Sequence, residues 1–159
     1  NKKYNLTQIV FHHPSEHSFE GKRSEASVQL HHVEMVSEGT EEARKLVMEV
    51  FLEPGIINVL MVHLKPFFSV LEQTENSDEP TALKQYKILP ARLLPRTTSK
   101  FIFYRGGATE PPCNEDTDWI VFKDPLEVSA KQLKYIQTVT SPNSRPIQAQ
   151  SKVKTYSSY

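Results

Sequence analysis

Alternating apolar and polar positions near the start of the chain predict two extended segments, at residues 5–13 and 26–33. Successive side chains of a strand point to opposite faces, so a hydrophobic period of two indicates β-structure. The polar link between the segments contains Pro14 and Gly21, which favour turns over strand interiors. We therefore expect an antiparallel pair in which chosen side chains of both strands share one face.

The remaining apolar pattern predicts more strands and two helical stretches. Helical spacing at 57–72 is interrupted by Pro66, which should kink or divide that segment. Ser129 can cap a second helix over 130–138, with Leu133 and Ile136 facing inward. The C-terminal stretch 141–159 reads as irregular. The predicted strands lie at 45–53, 100–104, 119–123 and 126–128.

Composition narrows the class of protein. The chain has 159 residues, with eleven prolines and five glycines, which suits one loop-rich domain. We expect a mainly β fold with short helices (α+β) and a large, mostly antiparallel twisted sheet. Nineteen basic and nineteen acidic side chains give a formal net charge of zero, so no basic face argues for nucleic acid. No apolar run approaches the length of a membrane span.

Histidines concentrate in the predicted hairpin, which holds five of the six in the chain. Strand alternation places Val10 and His12 on one face, and Gln29 and His31 on one face. If the strands pair antiparallel, these faces converge, which is how a sheet can build a metal site. His13 and His32 should point to the opposite face and serve in packing or at the surface.

Four stretches resemble the α-class carbonic anhydrases in their order and spacing. They read Q-I-V-F-H-H-P-S-E-H at 8–17, V-F-L-E-P-G at 50–55, Y-R-G-G-A-T-E-P-P-C-N-E-D-T-D-W-I-V-F at 104–122 and N-S-R-P-I-Q at 143–148. The resemblance implies one domain over residues 1–159, with 149–159 as its tail, built on that family's twisted sheet. It matches roughly the last two-thirds of the family domain, so we expect an N-terminally incomplete domain without the family's proton-shuttle histidine.

The resemblance also implies where the family's catalytic zinc ligands would lie. The three ligand histidines fall on Val10, His12 and Gln29, and only His12 remains. The carboxylate that orients the third histidine falls on Ser27. Valine cannot bind a metal, and a glutamine carbonyl is a poor substitute for imidazole at a zinc ion. We therefore expect no cofactor and no zinc, with the degenerate positions Val10, His12 and Gln29 as the remnant of the site.

Two residues that act beside the zinc in the family are kept as vestiges. The hydroxyl that orients the zinc-bound nucleophile falls on Thr109, and its carboxylate partner falls on Glu16. Without a metal they orient nothing, so we predict that the chain is not an enzyme. His17 resembles the family's structural histidine and is expected to be a hydrogen-bonded core residue.

One residue could reverse this prediction. His31 shares the face of Gln29, so a relocated metal site from His12, Gln29 and His31 would give an active zinc carbonate dehydratase. The other interpretation is a pocket-filling histidine that is hydrogen-bonded to His12, Thr109 or water. A third possibility is a small-ligand or glycan pocket lined by Val10, Val47 and Ala108.

The losses resemble those of acatalytic carbonic-anhydrase-related proteins and of the carbonic-anhydrase-like ectodomain of receptor tyrosine phosphatases. That resemblance implies an inactive module that serves as a structural or protein-interaction subunit of a larger assembly. Its expected partners are other protein subunits that cover the strands missing from this chain. Alone, the chain is expected to be poorly soluble or unstable.

Cys113 is the single cysteine and leaves two interpretations open. It is either a small buried thiol in the P-P-C turn or, as family members outside the cytoplasm imply, one half of a bridge to an N-terminal segment. The residues N-K-K-Y-N-L-T-Q at 1–8 do not form the apolar run of a signal peptide. The resemblance allows an extracytoplasmic or organellar assembly, and the compartment stays open.

Overall fold

The computed structural model describes residues 2–36, 43–55, 89–148 and 154–158. The helical prediction at 57–72 lies outside the described residues. Within the described part of the chain, no helix has the length and apolarity needed to cross a membrane.

A twisted mixed sheet organises the described residues, as the sequence predicted. Its main strands run in the order β1-β4-β5-β7-β6-β9, and β8 pairs separately with β5. Most pairs are antiparallel, and β5 pairs parallel with β7 and with β8. The strands are β1 (Tyr4–His12), β2 (Ser18–Phe19), β3 (Lys22–Arg23), β4 (Ala26–Glu34), β5 (Lys45–Pro54), β6 (Phe101–Gly106), β7 (Thr117–Phe122), β8 (Leu126–Val128) and β9 (Thr155–Ser157).

The predicted hairpin is confirmed, and its polar link forms a small ribbon of β2 and β3. The residues of β4 from Ala26 to Leu30 are all buried, rather than alternating between buried and exposed. A central strand that is covered on both faces loses the alternation of a half-exposed strand. Beside the sheet lies a short 3₁₀ helix, Pro90–Leu93.

The hydrophobic core fills the face of the sheet that packs against helix α1 (Ala130–Thr140). Leu133 and Ile136 point inward from the helix, as predicted. Each fully buried aliphatic side chain contributes roughly 1.5–3 kcal/mol relative to exposure, so this layer is the main source of stability. The sheet residues in the cluster are Phe11, Ala26, Val28, Leu30, Val50, Leu52, Phe122, Leu126 and Val128.

Ser129 begins α1 with a reciprocal cap. Its hydroxyl accepts the Gln132 backbone N–H at 3.3 Å, and the Gln132 side-chain oxygen accepts the Ser129 backbone N–H at 2.7 Å. These two bonds satisfy N–H groups that the first turn of a helix leaves without partners.

The C-terminal stretch corrects one prediction. Residues 141–159 were expected to be irregular, but Thr155–Ser157 forms β9 and pairs antiparallel with β6. The segment is three residues long, too short to show a periodic pattern, and its pairing comes from the free edge of β6.

We predict that Ser129→Ala destabilises the fold by about 1 kcal/mol, because it removes the side-chain acceptor at the helix start. Urea unfolding measures the change. Thr138→Ala on the exposed side of α1 is the matched control and should leave stability nearly unchanged. Equal losses in both variants would contradict the role of the cap.

Candidate functional site

The face of the sheet opposite α1 collects the residues that the sequence singled out. Val10 lies opposite Gln29 in the β1–β4 register, and His12 lies opposite Ser27. Glu49 lies opposite Gln29 on the other side of β4. The predicted convergence of the two strand faces is therefore present in the structure.

Gln29 is fully buried, and both ends of its amide have partners. Its Nε2 donates to a carboxylate oxygen of Glu49 at 3.1 Å. Its Oε1 lies 3.0 Å from His31 Nε2, and because an amide oxygen can only accept, the imidazole is the donor. The glutamine oxygen that could have faced a metal thus already accepts a hydrogen bond from His31.

Glu49 was not predicted to have a role, yet it is a fully buried carboxylate with several hydrogen-bond partners on this face. It is 0% exposed, and one carboxylate oxygen contacts His17 Nδ1 while the other accepts the His17 backbone N–H at 3.5 Å. Burial raises its pKa, but the charge of His17 and the hydrogen bonds from His17 and Gln29 outweigh burial, so the net pKa lies below the ordinary value. A signal was available, since Glu49 is a charged residue in the middle of an apolar strand.

The network continues to Tyr104 on β6. The second ring nitrogen of His17 is hydrogen-bonded to the Tyr104 hydroxyl. Burial, followed by the charges of Glu49 and Glu16, raises the pKa of Tyr104 well above its usual value, so the phenol stays protonated. Five side chains therefore form one hydrogen-bonded series, Tyr104–His17–Glu49–Gln29–His31.

The ring of Trp119 packs against two members of this series, Tyr104 and His17. The Tyr104 ring is stacked on Trp119, with centroids 6.1 Å apart and planes at 5°. The His17 ring meets Trp119 edge-on at 4.9 Å. His17 is therefore hydrogen-bonded and packed, as predicted, and Trp119 is buried at 1% exposure.

His12 and Glu16 form a second buried pair. His12 Nδ1 lies 3.2 Å from one carboxylate oxygen of Glu16, and the other oxygen accepts the Arg145 backbone N–H at 2.9 Å. Burial lowers the pKa of His12, so its imidazole is neutral at neutral pH. Burial also raises the pKa of Glu16, to about 7.

Thr109 and Glu16 are not joined, although the family resemblance pairs them. Within the described residues no hydrogen bond links the Thr109 hydroxyl to Glu16, whose acceptor atoms face His12 and Arg145. Thr109 instead lines a cavity of about 250 Å³ together with His31. Ser27 is fully buried, and its hydroxyl is one of the groups that lower the pKa of Glu49.

His13 and His32 lie away from the polar series, as alternation predicted. The register pairs His32 with Leu6 and with Leu46. His13 donates from Nδ1 to the Glu25 carbonyl oxygen at 2.7 Å.

Asn143, from the closing N-S-R-P-I-Q stretch, holds the end of β1. Its side-chain oxygen accepts the His13 N–H at 2.9 Å, and its side-chain nitrogen donates to the Phe11 carbonyl at 3.0 Å. The motif was recognised in the sequence, but this role depends on a contact across the fold.

The fold and the polar face define a carbonic-anhydrase-type domain. The family description "Eukaryotic-type carbonic anhydrase" matches residues 1–155, and the chain belongs to this family. The solved structure of the α-carbonic anhydrase from Thermovibrio ammonificans with the inhibitor sulfanilamide has a TM-score of 0.82 and 32% identity, over 97% of this chain and 63% of that chain. The predicted fold class is confirmed.

Two sequence relatives show the range of proteins that carry this domain. A carbonic anhydrase from Nostoc sp. is 30% identical over 147 residues, which are 92% of this chain and 51% of that protein. The human receptor-type tyrosine-protein phosphatase zeta is 30% identical over 129 residues, which are 75% of this chain and 5% of that protein. This chain thus spans about half the length of the Nostoc relative.

The residues at the family's zinc position do not fit a three-imidazole site. Val10 has no lone pair, and the Gln29 amide is hydrogen-bonded at both ends. Among the described residues, no group of three or more His, Cys, Asp or Glu side chains is placed to hold a metal ion. Whether the protein carries zinc stays a prediction for measurement.

We predict that Glu49→Ala destabilises the protein by about 3–5 kcal/mol, because it leaves the buried Gln29 and the half-buried His17 without their shared acceptor. Glu49→Gln, which keeps the shape and loses the charge, should fall between this variant and the wild type. Denaturant unfolding measures both.

Glu127→Ala on the exposed side of β8 is the control and should change stability by less than about 0.5 kcal/mol. If Glu49→Ala costs no more than this control, the carboxylate does not organise the polar face.

Glu16 should make stability depend on pH in a defined window. Its pKa rises from 4.5 in the unfolded chain to about 7 in the folded protein, so the folded state binds the proton more tightly. The resulting stabilisation is complete below pH 4.5 and is lost as the pH rises to about 7. Other groups titrate in this range, so the test compares the wild type with Glu16→Gln.

The stability of the wild type minus that of Glu16→Gln should decrease as the pH rises through this window. Urea unfolding at a series of pH values measures the difference, and the ¹³C shift of the Glu16 carboxyl should titrate near pH 7. A constant difference and a carboxyl midpoint near 4.5 would show an ordinary glutamate.

Proposed function

We propose that this carbonic-anhydrase-type chain is catalytically inactive and serves as a structural or protein-interaction subunit of a larger assembly. The observation that carries the proposal is the hydrogen bonding of the Gln29 amide. Its nitrogen donates to Glu49, and its oxygen accepts from His31. A catalytic zinc site needs three protein ligands and an open position for water. Here one ligand position is a valine and another is an amide with both ends hydrogen-bonded.

The surroundings of the remaining histidine support the same proposal. His12 is 4% exposed, and its neighbour Glu16 accepts a backbone N–H from Arg145 rather than the Thr109 hydroxyl. In a metal-assisted hydration, this carboxylate and hydroxyl would orient the nucleophile. In this chain the Glu16 carboxylate, in the loop after β1, accepts the N–H of Arg145 in the loop after α1.

Similarity to the receptor-type tyrosine-protein phosphatase zeta is consistent with a non-catalytic use of the domain. The region similar to this chain makes up only 5% of the length of that protein. It shows that a domain of this type occurs as part of a larger protein. The similarity to carbonic anhydrases supports the alternative, an active hydratase, which the test below also addresses.

The outer edge of β1 is the surface on which we place the protein partner. β1 is the terminal strand of the described sheet at one end, and a terminal strand presents unpaired N–H and C=O groups to a neighbour. We propose that another protein subunit, or an additional strand of the same gene product, covers this edge. The structure describes Cys113 as a free thiol, and any bridge to another segment remains an expectation.

The alternative hydratase would use His12 and His31 as ligands. His31 Nε2 donates to Gln29, so ligation through that atom would require the imidazole to give up this bond. Such a site would show as tightly bound zinc.

The test measures zinc content and CO₂ hydration on the same purified protein carrying this whole chain. After exposure to zinc and removal of the excess, we expect substoichiometric metal by mass spectrometry and hydration at the uncatalysed rate. Stoichiometric zinc with catalysis would overturn the proposal and establish the hydratase.

The double variant Val10→His/Gln29→His supplies the two missing imidazoles. We expect it to bind zinc tightly, because three imidazoles then converge on one point of the β1–β4 face. The single variants Val10→His and Gln29→His are matched controls, since each supplies only two and should bind more weakly. Equal zinc binding by wild type and double variant would contradict the assignment of these positions.

A further inference from the structure

A cavity of about 250 Å³ lies beside His31, at the edge of the polar face. One part of its wall is apolar, formed by Val47, Ala108 and Trp119. Another part is polar, formed by His31, Thr109 and Glu110. An apolar pocket with a few convergent polar groups is the usual form of a small-molecule site.

The turn after β6 that supplies part of this wall is fixed by three hydrogen bonds. Trp119 Nε1 donates to the Gly107 carbonyl at 3.1 Å. The Ala108 N–H donates to the Asn114 carbonyl at 3.0 Å, and the Cys113 N–H donates to the Glu110 carbonyl at 2.9 Å. The cavity wall is therefore formed before any ligand arrives, which lowers the entropic cost of binding.

The charges around the cavity favour a cation. Glu110 is the carboxylate among the described residues of its wall. Lys45 also lies there, but its ammonium group is paired with Asp116 at 3.4 Å. His31 Nε2 donates to Gln29 Oε1 at 3.0 Å, so this donor is already used within the protein.

We propose that this cavity binds a small organic ammonium ion, with its alkyl part against Val47 and Ala108 and its ammonium group toward Glu110. The proposal rests on the proposed function, because a zinc ion at the base of this face would reverse the local charge and favour anions. The volume is below the range of about 300–1,000 Å³ typical of drug-sized ligand sites, so the cavity has room for a small molecule and not for a glycan.

The test uses three probes of one size on the purified protein carrying this whole chain, namely n-butylammonium, 1-butanol and butyrate. Zinc is measured first, and binding is then followed by calorimetry and by the NMR shifts of His31. We expect n-butylammonium to bind most tightly and butyrate most weakly, with the largest shifts at His31 and in the 108–114 turn.

Glu110→Gln should weaken n-butylammonium binding about fivefold, the upper end for a partly exposed ion pair, and leave 1-butanol unchanged. Glu115→Gln is the matched control, since this carboxylate lies on the same turn but lines a different, larger cavity. It should leave all three affinities unchanged.

The outcomes separate the two proposals. Stoichiometric zinc with preferred butyrate binding would overturn the proposed function together with this inference. A zinc-free protein that binds butyrate or butanol as tightly as n-butylammonium, or that responds equally to both glutamate substitutions, would overturn only the cation site.

Discussion

The buried carboxylate of Glu49 is the constraint on which the polar face of this protein depends. An ionised carboxylate removed from water is costly unless it is paired and hydrogen-bonded. His17 and Gln29 meet that requirement from two different elements, the loop after β1 and strand β4. Their positions then determine those of Tyr104 and His31, so one charge arranges side chains from β4, β5, β6 and the loop.

This arrangement explains how the chain keeps a family's architecture while its polar face changes. The hairpin, the Asn143 contact to β1 and the aromatic support behind His17 are all present. The strand positions that resemble the zinc ligands now hold a valine and a glutamine, and the glutamine is part of the Glu49 network. The apolar layer under α1 holds the sheet and the helix together.

Sequence patterns predicted the strands with good accuracy because those segments have strong local signals. The strand Leu126–Val128 and the helix start at Ser129 agree with prediction to the residue. β9 was missed because three exposed residues carry no periodicity of their own. The contact between Glu16 and the Arg145 N–H could not be predicted either, since the two residues lie in loops that are distant in sequence.

By itself the sequence determined the strand pattern and the shared face of Val10, His12, Gln29 and His31. It also determined the resemblance to a family, which the match over residues 1–155 confirms. These follow from local periodicity and motif spacing, which neighbouring residues encode. Only the tertiary structure decided the partners of each polar group, because Glu49 reaches His17 across 32 positions and His17 reaches Tyr104 across 87. Hydrogen bonds at such separations depend on how strands cross in space, and no local pattern along the chain carries that information.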